Sequence, residues 1–171
     1  MTNLSPAPGP VEGTRIRLEP LAQHEEYSRD LWQGMLTDAP LREALGGAPA
    51  PASLEEFLET GRRWAEKTGG LTFAVVSKES GKAFGSITLS RFDEPAANVG
   101  YYLASRVWGQ GLGGEAFGLI LQVARAMGLS AVKTDHVVNE ASMRIWRRRG
   151  AKITRRPDGA FSCWLSIKTS T

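Results

Sequence analysis

The order of hydrophobic periods along this chain predicts a mixed α/β fold, a central and mostly antiparallel twisted sheet of about seven strands flanked by about four helices. Three observations carry the expectation. Segments of two-residue alternation interleave with segments of helical spacing in the order β-α-α-β-β-β-α-β-α-β-β. Strand pairs joined by short turns occur in the middle and at the end of the chain, which calls for antiparallel hairpins. Finally, 171 residues suit one hydrophobic core, burying roughly 70% of the unfolded surface. Hydrophobic residues are 42% and charged residues 23%, unlike a disordered tail, a collagen or a disulfide-stapled module.

Taken in order, Met1 to Thr14 holds Pro6, Pro8 and Pro10 without an apolar run, so residues 1–14 read as a flexible lead-in and 15–171 as the domain. Ile16 and Leu18 alternate with Arg15, Arg17 and Glu19 in a short strand closed by Pro20. His24 to Leu36 has helical spacing, and a short helical piece at Leu41–Leu45 lies between loops. Ser53-Leu54-Glu55-Glu56 is a capping box that starts a helix ending at Gly69-Gly70. Leu71–Ser77 and Ala83–Ser90 form a hairpin, and Asn98–Ala104 is a third strand. Gly113–Met127 is a helix, Ala131–Val137 a strand, and Ser142–Arg149 a short helix closed by Gly150. Ala151–Arg155 and Phe161–Ile167 make the final hairpin. One cysteine, Cys163, permits no intrachain disulfide and no cysteine-based metal cluster, and no metal is expected. No apolar run approaches the roughly 18 residues of a membrane helix, so a cytoplasmic protein is expected. A net charge of +3 is too small to imply nucleic acid by itself.

The most informative stretch is Trp108-Gly109-Gln110-Gly111-Leu112-Gly113-Gly114, between a strand and a helix. Glycines let backbone N–H groups approach a ligand, and the helix start adds unpaired donors and partial positive charge. Together they suit a phosphate or diphosphate. Gly109, Gly111 and Gly114 also spell the dinucleotide pattern, with Asp135 on the next strand. Against that pattern, the preceding strand stops short of the loop and antiparallel hairpins flank the unit.

From Phe73 to Ala151 the chain resembles the GNAT superfamily of N-acetyltransferases, and most of all its ribosomal-protein N-terminal (alanine) acetyltransferase branch. The resemblance rests on Gly100-Tyr101-Tyr102-Leu103, the glycine loop running on into Glu115-Ala116, Asn139-Glu140-Ala141-Ser142, and Arg149-Gly150-Ala151. It implies a GNAT-like domain with a splayed pair of strands at the cofactor site. Acetyl-CoA would lie with its diphosphate over the amides of Gln110, Gly111, Gly113 and Gly114, and Asn139 would help form the cofactor site. The Leu103 N–H would polarise the thioester carbonyl. Where many relatives place a tyrosine as proton donor this chain has Trp146, and the branch points instead to Ser142, three residues after Asn139. The glutamate some relatives use as base is replaced by Thr134; His136 on the same strand is the candidate, with Asp93, Glu94, Asp38 and a water chain as competitors.

The acceptor implied is a primary amine, a protein N-terminus or a small molecule, bound by the N-terminal helices with Trp32, Leu36 and Tyr102 as liners. Seven arginines and lysines fall between Arg144 and Arg156; they read as a solvated face, a grip on the 3′-phosphate of CoA, or a contact to RNA or the ribosome. A homodimer is left open. The competing functions are an NAD-type oxidoreductase and a CoA-binding protein without turnover.

Overall fold

The structure is a computed structural model and describes residues 4–167. Residues 1–3 of the expected lead-in and the end of the domain, 168–171, lie outside the described residues. Eight strands form one sheet in the order β1-β2-β3-β4-β5-β6-β8-β7. They are β1 (Val11–Glu12), β2 (Ile16–Pro20), β3 (Leu71–Ser77), β4 (Ala83–Asp93), β5 (Ala96–Leu103), β6 (Ala131–Val137), β7 (Lys152–Arg155) and β8 (Phe161–Ser166). The helices are α1 (Glu25–Thr37), α2 (Ala39–Ala44), α3 (Leu54–Thr68), α4 (Leu112–Met127) and α5 (Glu140–Arg148). Every neighbouring pair is antiparallel except β5 with β6, which are parallel and joined through α4. No helix of the described residues is long and apolar enough to cross a membrane.

The expected short helical piece forms, and one strand goes beyond the sequence expectation. The short piece near Leu41 is a separate helix, because Asp38 caps it by accepting from the Leu41 N–H at 3.2 Å. The eighth strand comes from the lead-in: Val11 and Glu12 pair with Leu18 and Arg17. Leu4, Ala7 and Val11 pack on the core, and the Ser5 N–H donates to the Met127 carbonyl at 2.9 Å. The prolines keep the segment extended, yet its apolar residues find the end of α4. The capping box forms with one shift: Ser53 Oγ accepts from the Glu56 N–H at 3.1 Å, while Glu56 reaches the N–H of Ala52 at 2.9 Å.

Alternation on β3 divides the core. Phe73 and Val75 face α4 and join Leu18, Ile87, Phe117 and Ile120; Ala74 and Val76 face the other way, against Tyr27 and Leu31 of α1. Trp146 on α5 and Phe117 on α4 meet edge to face, ring centroids 4.9 Å apart, so both helices cover the same face. The polar residues of the α1 face form their own network: Glu19 accepts from Arg17 at 2.8 Å and from the Tyr27 hydroxyl.

Candidate active site

The site begins where the sheet stops being continuous. Parallel pairing of β5 with β6 runs from Ala96–Ala131 to Asn98–Lys133. Beyond it, β6 keeps pairing with β8 at Thr134 and Val137, while β5 keeps pairing with β4 as far as Leu103. The two strands therefore part like a fork. At its base, Asn98 buries Oδ1 with no hydrogen-bond partner among the described residues.

The β4–β5 register fixes what faces the gap. The Ala104 N–H bonds the Phe84 carbonyl at 2.8 Å, and Ser86 pairs with Tyr102, Gly85 with Leu103. Hydrogen-bonded pairs alternate in an antiparallel ladder. The Gly100 and Tyr102 amides thus turn toward β4, and those of Tyr101 and Leu103, beyond the last β5–β6 pair, turn into the gap. The Leu103 carbonyl, on the gap side too, is taken by the Trp108 indole N–H at 2.9 Å. The Tyr101 N–H is a second donor, about 6.6 Å deeper in the fork.

At the mouth of the fork α4 begins. Gly111 is its N-cap in the left-handed region, with φ of 79°, and Gly109 has φ of 76°. A side chain is strained at both. A Cβ built on Gly109 or Gly114 would meet nothing within 4 Å, so both glycines keep open space above the first helical turn. This cradle of free amides with a positive helix end fits a diphosphate. Gly113 serves differently: its Cβ would press on Ile145 at 3.2 Å and the Tyr101 ring at 3.4 Å, so it lets α4 approach β5 and α5. On the other side, Arg15 reaches the loop, donating to the Gln110 carbonyl at 2.8 Å and to Glu115 at 3.4 Å.

Ser142 lies in the first turn of α5. Asn139 caps that helix, its Oδ1 accepting from Ala141 at 2.8 Å and Ser142 at 3.2 Å. The Ser142 hydroxyl sits 3.0 Å from the Tyr101 hydroxyl. Burial pushes the Tyr101 phenol up, and the bond to Ser142 opposes this without reversing it, so the phenol keeps its proton at neutral pH. Tyr101 is the residue sequence reasoning missed. The signal was available: it alternates with Leu103 along β5 and shares its face.

Other candidates lie elsewhere. His136 is exposed and 3.7 Å from Asp158 in the β7–β8 turn, because β6 bulges away between Thr134 and Val137. Asp93 pairs with Lys133 at 3.8 Å, and Asp93 and Glu94 stand at the start of β5, the opposite end from Leu103. Trp32 donates to the Pro51 carbonyl at 2.8 Å and fastens α1 to the loop before α3; Leu36 is exposed. Tyr102 does line a cavity of about 260 Å³ with Asp30, Met35, Asp38, Leu41 and Ala104. Burial raises its phenol to about 12 against a bond to Ser86. Asp38 is fully engaged. Burial raises its carboxyl, but donation from the Ser105 hydroxyl and N–H and from Leu41 outweighs this and holds it below the ordinary range. The basic cluster is dispersed: Arg147 pairs with Glu140, Arg156 with Asp158, and Lys152 and Arg155 lie on the edge strand β7. Arg149 lies against α4, its terminal nitrogen 2.7 Å from where a Gly118 Cβ would stand.

The dinucleotide reading fails on the sheet, where β5–α4–β6 is the sole parallel crossover among the described residues, and Asp135 is exposed with its carbonyl held by Arg156 at 2.7 Å. Solved structures share the fold. A GCN5-related N-acetyltransferase from Brucella melitensis is 24% identical, with 98% of this chain and 83% of that one covered, at a TM-score of 0.68. RimL, a ribosomal L7/L12 alpha-N-protein acetyltransferase in complex with coenzyme A, is 16% identical over 98% of this chain and 100% of that one, at 0.70. A GNAT-family acetyltransferase from Bacillus anthracis is 14% identical over 92% and 97%, at 0.68. No curated protein matches the chain. The family model described as "Acetyltransferase (GNAT) domain" matches residues 15–152, and the chain belongs to that family, whose members carry out acetyl-CoA-dependent acetyl transfer.

Proposed function

We propose that the protein transfers the acetyl group of acetyl-CoA to a primary amine, a peptide N-terminus or a small-molecule amine. One observation carries the reading: a fork between β5 and β6 with two strand amides aimed into it, opening onto a glycine-built anion cradle. Acetyl-CoA supplies an activated acetyl thioester. The amides of Gln110, Gly111, Gly113 and Gly114 hold the diphosphate, and Arg149, packed along α4 one turn beyond Gly114, serves the 3′-phosphate. Leu103 and Tyr101 present N–H donors where negative charge develops on the acyl oxygen. Ser142 Oγ, backed by the protonated Tyr101 hydroxyl, delivers a proton to the leaving sulfur.

The acceptor enters the cavity between α1, α2 and the end of β5. Tyr102 and Ala104 line it, so it adjoins the Leu103 backbone between them. Asp30 and Asp38 favour a cationic amine, while Leu31, Met35 and Leu41 accept an apolar neighbour. The amine reacts only when neutral. With Asp38 held below the ordinary range and His136 on the surface, the proton leaves through the open cavity to solvent.

A panel of amines (short peptides with free N-termini, polyamines, aminoglycosides and amino acids), assayed by release of CoA thiol, tests this. At least one acceptor should release thiol above hydrolysis. Binding of CoA without release by any member would leave a cofactor-binding protein without turnover. Ser142→Ala and Tyr101→Phe should each lower kcat by about 10- to 100-fold while CoA affinity stays within about twofold. Unchanged turnover in both removes the hydroxyl pair from the chemistry.

A further inference from the structure

We infer that Arg15 is a positioning residue for cofactor binding: it holds the glycine loop with the Gly111 amide turned into the cradle. The inference rests on the assignment of that cradle to the diphosphate. Gly109 and Gly111, both in the left-handed region ahead of α4, leave the loop without a conformation of its own, and an anion site made of its amides must be held in shape from outside. Arg15 supplies the hold from the β1–β2 turn, nearly a hundred residues away in sequence. Its guanidinium donates to the Gln110 carbonyl at 2.8 Å. In a trans peptide the carbonyl of Gln110 and the N–H of Gly111 point in opposite directions. Fixing the oxygen on Arg15 therefore aims the N–H away from Arg15.

The same residue deals with Glu115, the carboxylate in the first turn of α4. Arg15 meets one carboxylate oxygen with its backbone N–H at 3.1 Å and the other with Nε at 3.4 Å. An unpaired carboxylate there would repel a diphosphate bound at the helix start. The turn carrying Arg15 is itself braced. Gly13 passes so close to α4 that a Cβ would stand 3.0 Å from Leu119, and Lys78 holds the Gly13 carbonyl at 3.0 Å. The Arg15 side chain remains 49% exposed, so loop and strand are joined at the surface and not through the core.

The test compares two ligands by calorimetry: CoA, which carries the diphosphate, and pantetheine, which does not. Arg15→Met should weaken CoA binding by about tenfold and leave pantetheine binding unchanged. The KM for acetyl-CoA should rise in parallel, with kcat changed less than twofold. In the ligand-free protein the Gly111 amide resonance should shift or broaden. Adding Glu115→Gln to Arg15→Met should restore part of the lost affinity. Full restoration would mean that Arg15 acts by charge alone, and would overturn the aiming of the amide. Equal losses for CoA and pantetheine would reduce Arg15 to a fold-stabilising residue. CoA affinity equal to wild type would end the inference, while the amine panel would stand untouched. If Arg15→Met does not fold, Arg15→Lys keeps the charge and one donor; it should show the same CoA-over-pantetheine selectivity at smaller size, and its absence there also overturns the inference.

Discussion

The two sides of the fork are built in different ways. The proposed cofactor side is made of backbone: amides of β5, a left-handed N-cap and glycines that leave room. The proposed acceptor side is made of side chains from several elements, with Asp38 of the α1–α2 junction tied to Ser105 beyond β5 and Tyr102 tied to Ser86. A backbone site needs a contiguous stretch of permissive residues and serves one ligand. A side-chain site can change residue by residue, so the acceptor can vary while the cofactor stays the same.

The sharpest way to separate the two sides is Gly114→Asp. A Cβ there meets nothing within 4 Å, so the substitution fits. An acid in the first turn of a helix stabilises it by about 0.3–1 kcal/mol. The same carboxylate faces the diphosphate, where like charges about 4 Å apart near a protein surface cost roughly 4 kcal/mol. The expected result is an equal or higher Tm together with a loss of CoA affinity of about 100-fold or more, read by calorimetry. Pantetheine affinity should change little. A variant that binds CoA normally would place the diphosphate elsewhere.

That difference in construction also explains how much was legible in the sequence. The glycine loop, Leu103, Asn139 and Ser142 occupy short runs to which the resemblance attached expected roles, and the structure brings the loop, Tyr101 beside Leu103, and the start of α5 together at one end of the sheet. The fork itself was legible through the resemblance, not through any local pattern. Tyr101 escaped because two adjacent tyrosines look alike until β5 is given a register; one then faces Ser142 and the other the opposite side. Trp32 and His136 find partners outside the fork for a common reason. Residue type suggested chemistry, but Trp32 found a carbonyl at Pro51 and a bulge in β6 carried His136 toward Asp158. Contacts such as Asp38 to Ser105 or Arg15 to Gln110 span 67 and 95 residues and leave no trace in local spacing.

Asp38→Ala should act on the acceptor side alone. It removes the helix cap and both bonds from Ser105, and a loss of about 2 kcal/mol in stability is expected. The folded carboxyl lies below its ordinary 3.8, so its contribution is complete above that pH and fades as pH falls through the lower folded value. The Tm gap between wild type and variant should therefore be constant from pH 5 to 8 and close in stronger acid. The acceptor KM should rise several-fold with CoA affinity unaltered; a parallel loss of CoA affinity would show that the two sides are not independent.

The smallest effect concerns the proton that the amine must shed. If it leaves to solvent, kcat/KM follows the neutral fraction of the acceptor, rising about tenfold per pH unit and levelling near 8 for a peptide N-terminus. A polyamine acceptor should carry the plateau upward by about two units, because its own titration sets the curve. A side-chain base would instead impose a fixed break that ignores the acceptor. His136, 62% exposed and 3.7 Å from Asp158, faces the β7–β8 turn, so His136→Ala should superimpose on wild type across the whole profile. A break that ignores the acceptor and disappears in this variant would bring His136 back into the chemistry.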